Sequence, residues 1–91
     1  MADVRLEKGI LTIFGQFGAI TVPAKQVRMI TRVRDINLPD ASLRMVEVTY
    51  ENGAGVLQRL VTDCGDMSTA HKSVERAVDY CKVEMGKDYD D

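Results

Sequence analysis

The side chains that most often bind metals or act as nucleophiles are few in this sequence: one histidine, His71, and two cysteines, Cys64 and Cys81. A zinc site made from them would need ligands that converge from both ends of one helix, and the paired cysteine spacing of zinc sites is absent. Cys64 precedes a predicted helix N-terminus, which lowers a thiol pKa, but the carboxylates of Asp63 and Asp66 oppose that effect. We therefore predict no metal ion and no catalytic cysteine.

Other catalytic arrangements have equally little support. A single histidine gives no Ser-His-Asp set, and the carboxylates are scattered over loops and the C-terminal tail without an obvious acid–base pair. The turn "GQFG" at residues 15–18 is not followed by a helix with the Lys-Ser/Thr of a phosphate-binding loop. The sequence predicts a protein that is not an enzyme and holds no cofactor.

The cysteines and the N-terminus predict a cytoplasmic protein with no membrane association. Cys81 lies about 13 residues into the helix that follows Cys64, roughly 20 Å along its axis. A disulfide needs Cα atoms within about 7 Å, so we expect two free thiols. The first ten residues, "MADVRLEKGI", lack the apolar region of a signal peptide, and no run approaches the roughly 18 apolar residues of a membrane span.

The stretch "KQVRMITRVR" at residues 25–34 places four cations in a chain with 12 Lys and Arg against 14 Asp and Glu, a net charge of −2. Side chains alternate across a strand, so one face is expected to be buried and the other solvated. The buried face would carry Val27, Met29, Thr31 and Val33. The solvated face would carry Gln26, Arg28, Ile30, Arg32 and Arg34.

The row of arginines on the solvated face has two interpretations. It resembles the cationic groove of a single-strand nucleic-acid binder, but such proteins interleave aromatic side chains, and this face has none. Glu47 and Glu51 on the neighbouring strand are also placed to pair with the arginines and neutralise them. We therefore favour a solvated, internally neutralised face and keep nucleic-acid binding, with Lys25 as a further contact, as the alternative.

Apolar runs between turn residues predict five strands, at 9–14, 19–22, 27–33, 43–51 and 54–62. A helix follows, because one stripe on a 3.6-residue period joins Ala70, Val74, Ala77, Val78, Cys81 and Met85. Asp66 or Ser68 would cap its start, and Gly86 would end it. The predicted fold is α+β, an antiparallel sheet of about five strands followed by one C-terminal amphipathic helix, as an open sheet or a small curled barrel. Residues 1–86 would form one domain, and residues 87–91 an acidic tail that frays.

Asn52-Gly53 between two apolar runs predicts a hairpin, and a two-residue loop would place Tyr50 opposite Gly55 and Val48 opposite Leu57. Both faces of this hairpin then carry large apolar residues. A helix of about 18 residues covers only one side of such a sheet. Either the sheet curls over its own inner face or another chain covers the exposed one. We favour the second, a homo-oligomer with a dimer preferred.

These patterns together predict a non-enzymatic macromolecule-binding module, such as an adaptor, inhibitor or assembly factor, that self-associates and docks on a protein partner through its sheet. The predicted partner-binding residues are Arg28, Ile30, Arg32, Arg34, Met45 and Glu47. Single-stranded nucleic-acid binding is the first alternative, and a small-ligand pocket between helix and curled sheet is the second. The sequence resembles no family, and unrelated small barrels, single-strand binders and viral accessory proteins share this order of elements, so the fold does not predict the function.

Overall fold

The computed structural model describes residues 3–16, 18–40 and 42–85, without the side chains of residues 3, 65–69, 71, 84 and 85. The predicted roles of Asp66 and Ser68 as helix caps, of His71, Met85 and Gly86, and of the tail therefore lie outside the described residues. The elements in chain order are β1 Asp3–Glu7, β2 Ile10–Phe14, β3 Ala19–Pro23, a 3₁₀-helix Ala24–Gln26, β4 Val27–Asn37, β5 Ser42–Glu51, β6 Leu57–Asp66, α1 Met67–Cys81 and β7 Glu84–Met85.

The strands form two antiparallel three-stranded sheets rather than one sheet of five. The first has the order β1-β2-β3, and the second has the order β6-β5-β4, with the two-residue β7 added in parallel to β4. The α+β class and the C-terminal helix are confirmed, while the single sheet is wrong. The chain breaks at Pro23, which has no N–H for a further ladder bond, and the 3₁₀-helix then redirects it into the second sheet. Within the described residues the sheets do not close into a barrel.

The additional strand, β1, pairs along its whole length with β2. Its sequence "DVRLE" alternates polar and apolar residues, and Val4 is buried in the core. The connecting turn has two residues, Lys8 and Gly9, with φ of 51° and 78°. Positive φ at both positions characterises a type I′ hairpin turn, which usually contains Asn-Gly rather than Lys-Gly. The unusual lysine explains why sequence patterns did not reveal this hairpin.

The β5–β6 hairpin is present, but its register differs from the predicted one by three residues. Tyr50 lies opposite Gln58 and Val48 lies opposite Leu60, because the loop has five residues, 52–56, instead of two. The Asn52 side-chain oxygen accepts hydrogen bonds from the amides of Ala54 and Val56, at 2.9 and 3.1 Å, and organises this longer loop. An odd shift moves every β6 side chain to the opposite face relative to β5.

The helix α1 begins at Met67, the residue directly after the end of β6, and runs for 15 residues. The predicted stripe is confirmed for Ala70, Val74 and Ala77, which are buried. The helix ends at Cys81 and not near Gly86, because Lys82 adopts a left-handed φ of 53°. The Val83 amide then donates to the Val78 carbonyl at 3.3 Å, a Schellman-type ending that lets β7 pair with β4.

One hydrophobic core joins both sheets and the helix. Each contributes buried side chains, namely Val4, Leu11, Ile13 and Val22 from the first sheet, Val27, Ile30, Val46, Val48 and Cys64 from the second, and Ala70, Val74 and Ala77 from α1. The inner face of the second sheet is thus covered by the first sheet together with the helix, an arrangement that the sequence patterns did not indicate. Its opposite face lies outside this core.

Candidate functional site

The strand β4 contains two irregularities that decide which of its side chains are exposed. Its register against β5 shifts between Val27 and Met29 and again between Arg32 and Arg34. Each shift interrupts the simple alternation of side chains. Ile30 is consequently fully buried opposite Val48, while Met29 is 42% exposed. The predicted faces of these two residues were therefore wrong, and Ile30 is not part of any exposed surface.

The arginines of β4 do not form one row. Arg28 is exposed, donates to the Lys25 carbonyl at 2.9 Å and lies 3.7 Å from the Glu51 carboxylate. Arg32 lies opposite the buried Val46 at the rim of the inner face, whereas Arg34 lies opposite Met45 on the other face. The predicted neutralisation by Glu51 is confirmed for Arg28.

The face of the second sheet that points away from the core, here called the outer face, holds the largest group of exposed apolar side chains on that sheet. Leu57 is 61% exposed and Val61 51% exposed, and Met29 shares this face from β4. Arg59 and Glu47 lie between them, 3.9 Å apart. The outer face includes Met29, Thr31, Arg34, Met45, Glu47, Thr49, Glu51, Leu57, Arg59 and Val61.

Three of the six predicted partner-binding residues, Arg34, Met45 and Glu47, lie together on the outer face. The exposed apolar residues of the outer face, Met29 from β4 and Leu57 and Val61 from β6, were not among the predicted partner-binding residues. Their pattern is readable in the sequence only once the hairpin register is known, because the register assigns Leu57 and Val61 to the side of Glu47.

A buried charged pair, Arg44 and Asp35, lies near the start of β5, at the end away from the 52–56 loop. The Arg44 side chain is only 7% exposed, and its Nε lies 3.2 Å from Asp35 Oδ1, which belongs to the residue directly across on β4. The Cys64 thiol donates to the Arg44 carbonyl at 3.5 Å. A charge held this far from water needs its partner, and Asp35 lies directly opposite Arg44 in the register of β4 and β5.

Both cysteines are free thiols, as predicted. Burial raises the pKa of the Cys64 thiol to about 12, although the neighbouring Arg44 charge partly opposes the shift. Burial likewise raises the pKa of Cys81 to about 11. A thiol nucleophile acts as the thiolate, so both groups are in their unreactive form near neutral pH. In the part of the chain that the structure describes, no three His, Cys, Asp or Glu side chains lie close enough to hold a metal ion.

Comparison with known proteins adds no family or relative to these observations. No protein-family model, curated protein or solved structure matches the chain. No helix among the described residues combines the length and the apolar character that a membrane crossing requires. The function is therefore inferred from the exposure, charge and contacts of the chain's own residues.

Proposed function

We propose that the protein is a non-enzymatic binding module that associates with a second copy of itself through the outer face. The observation that carries this proposal is the exposure of Met29, Leu57 and Val61 on one face of one sheet. Large exposed apolar side chains gathered on one face of a sheet often mark a contact surface. Methionine suits such a surface because its flexible side chain adapts to a partner.

The charges of the outer face favour a protein as the occupant. Arg34 and Arg59 lie on the same face as Glu47, so both signs accompany the apolar residues. Protein interfaces typically combine apolar side chains with hydrogen-bonding and charged ones, and arginine is enriched in them. A polyanion would instead require a surface of one sign.

A second copy fits because a twofold axis places the same patch on both partners. Apolar residues then meet apolar residues, and the Arg and Glu side chains of one copy can pair with those of the other. Two sheets pack face to face at a spacing of about 10 Å, which these side chains can fill. Covering roughly 400 Å² of apolar surface favours association by about 10 kcal/mol before entropic costs. A different protein, docked as expected for an adaptor, inhibitor or assembly factor, would use the same face and compete with the second copy.

The test is the molar mass in solution, measured by light scattering across a range of protein concentrations. We expect the wild type to form a dimer and Val61→Glu to be a monomer with an unchanged circular dichroism spectrum. Gln58→Glu is the matched control, since it adds the same charge to the same strand on the inner side. A wild type that stays monomeric, or a Val61→Glu protein that dimerises like the wild type, contradicts the proposal.

Binding of single-stranded nucleic acid by the β4 arginines has less support. Arg32 and Arg34 lie on different faces of the sheet, and Arg28 is already close to Glu51. The outer face also contains no aromatic side chain on which a base could stack. Titration of a fluorescent oligonucleotide at two salt concentrations tests this alternative, because contacts to phosphates weaken steeply with salt.

A further inference from the structure

An open pocket of about 460 Å³ lies where the end of α1 meets the β1–β2 turn and the 3₁₀-helix. Three lysines line it, one from each of these segments: Lys8, Lys25 and Lys82. We call it the lysine pocket. It shares no residue with the outer face, and its volume lies within the range of small-molecule sites, about 300–1,000 Å³.

The lysine pocket brings three positive side chains together in a chain whose net charge is negative. It holds three of the five lysines of the sequence. None of its lining residues is acidic, and none of the three ammonium groups forms an ion pair with a residue that the structure describes. An anion bound between these three side chains would be attracted by all of them.

The rest of the lining is mostly apolar. Leu6, Ile10 and Tyr80 are among the exposed large hydrophobic residues of the chain, each about two-fifths exposed, and all three line this pocket. Inorganic phosphate or another fully hydrated anion would leave these side chains in water. An anion that carries an apolar body would cover them and meet the lysines at the same time.

The backbone supplies an independent indication. Lys8 and Lys82 are the two non-glycine residues with positive φ in the described ranges, and both line the pocket. Glycine or asparagine adopts this conformation with less strain than lysine, and such strain concentrates at ligand sites. Both positions are also held firmly. The Ala24 amide donates to the Gly9 carbonyl at 2.8 Å beside Lys8, and the Val83 amide closes the helix end beside Lys82.

We infer that the lysine pocket binds a small anionic amphiphile, a molecule with one carboxylate or similar head group and a short apolar chain or ring. The head group lies among the three ammonium groups, and the apolar part covers Leu6, Ile10 and Tyr80. The carbonyl end of α1 disfavours an anion, and Lys82, positioned at that end, counteracts this effect.

The experiment is a titration with octanoate, followed by the amide chemical shifts of the ¹⁵N-labelled protein. We expect shifts centred on Gly9, Ala24 and Lys82. The uncharged 1-octanol should bind at least roughly fivefold more weakly, and octylammonium should not compete, because the lysines attract only the anion. Equal binding of octanoate and 1-octanol would overturn the assignment of an anion site. An absence of shifts around the pocket at millimolar octanoate would overturn the pocket itself.

Substitutions separate a ligand site from a structural role. Lys8→Asn and Lys82→Asn remove the charge but supply a residue that tolerates positive φ, so the thermal midpoint should hold or rise while octanoate affinity falls. Lys25→Gln should weaken binding, and Lys72→Gln, an exposed helix lysine outside the pocket, is its control. If the three pocket variants bind octanoate as tightly as the Lys72 control does, the inference is wrong.

Discussion

The backbone amide of Gln16 donates a hydrogen bond of 2.5 Å to Asp63 Oδ2, across 47 positions of the sequence. This bond joins the β2–β3 turn of the first sheet to β6 of the second. The neighbouring Gly15 approaches Asp63 so closely that a Cβ at position 15 would collide with the Asp63 carbonyl and carboxylate. The two sheets are therefore connected at a point where only glycine fits.

Replacement of Gly15 by alanine should lower the free energy of unfolding by about 1–3 kcal/mol, because the added methyl group pushes the turn away from β6. Urea denaturation measures the change. The matched control is Gly53→Ala, since a Cβ at Gly53 meets nothing within 4 Å. That variant should be neutral or slightly stabilised. Equal effects of the two substitutions would contradict the close approach at Gly15.

Replacement of Asp35 by alanine should lower the free energy of unfolding by about 1–3 kcal/mol, since it removes a charged partner from the buried Arg44. Glu47→Ala removes the partner of Arg59, whose side chain is 73% exposed. Water solvates that arginine readily, so the loss should be at most about 0.5–1 kcal/mol. Chemical denaturation of both variants under one set of conditions compares them. A larger loss for Glu47→Ala than for Asp35→Ala would refute this ranking.

Neighbouring residues of β4 should respond very differently to truncation. Ile30→Ala opens a cavity in the core and should lower the free energy of unfolding by about 2–5 kcal/mol. Met29→Ala removes an exposed side chain and should change it by less than about 0.5 kcal/mol in the monomer. Thermal or urea unfolding at low protein concentration, where association is weak, makes the comparison. A larger loss of unfolding free energy for Met29→Ala than for Ile30→Ala would instead support the simple alternation that the sequence predicts.

Alkylation of the two thiols should be slow and strongly pH-dependent. The pKa of Cys81 is about 11, so its reaction rate with iodoacetamide should rise about tenfold per pH unit from pH 7 until near that value. Cys64, with a pKa of about 12 and deeper burial, should react more slowly still. Mass spectrometry of the peptides measures both rates. A rate for Cys81 that levels off near pH 9, as for an exposed thiol, would disagree with this environment.

The same pKa shifts predict how stability changes in alkali. The folded state holds the thiol protons more tightly than the unfolded chain, so unfolding becomes more favourable as the pH rises above about 9 and through the folded pKa values. Cys64→Ala and Cys81→Ala should flatten this decline. Urea midpoints between pH 8 and 10.5 report it, and a slope that neither substitution changes would speak against the thiols as its source.

The sequence predicted the elements that depend on periodicity. β2, β3, β5 and the helix stripe of Ala70, Val74 and Ala77 have apolar spacings that match the structure, because burial selects them. It missed β1, whose turn contains a lysine where asparagine is usual, and the end of α1, where another lysine takes a glycine-like conformation. Local propensity favours neither conformation, which is why composition and spacing did not reveal them.

The candidate site was only partly predictable for a related reason. Arg34, Met45 and Glu47 lie on one face of the second sheet, whereas Ile30 was placed with them by a strict alternation that the β4 bulges interrupt. A bulge changes which face a residue occupies and leaves no clear mark in composition or spacing. The lining residues of the lysine pocket were not predictable, because they come from three separated segments.

The absence of any linker between β6 and α1 constrains insertions and deletions at this junction. Each residue added between Asp66 and Met67 would turn the helix by about 100° about its axis. The stripe that carries Ala70, Val74 and Ala77 would then face solvent, and charged residues would replace it against both sheets. Homologous chains should consequently vary in length at the β4–β5 connection or at the 52–56 loop, and keep this boundary without gaps.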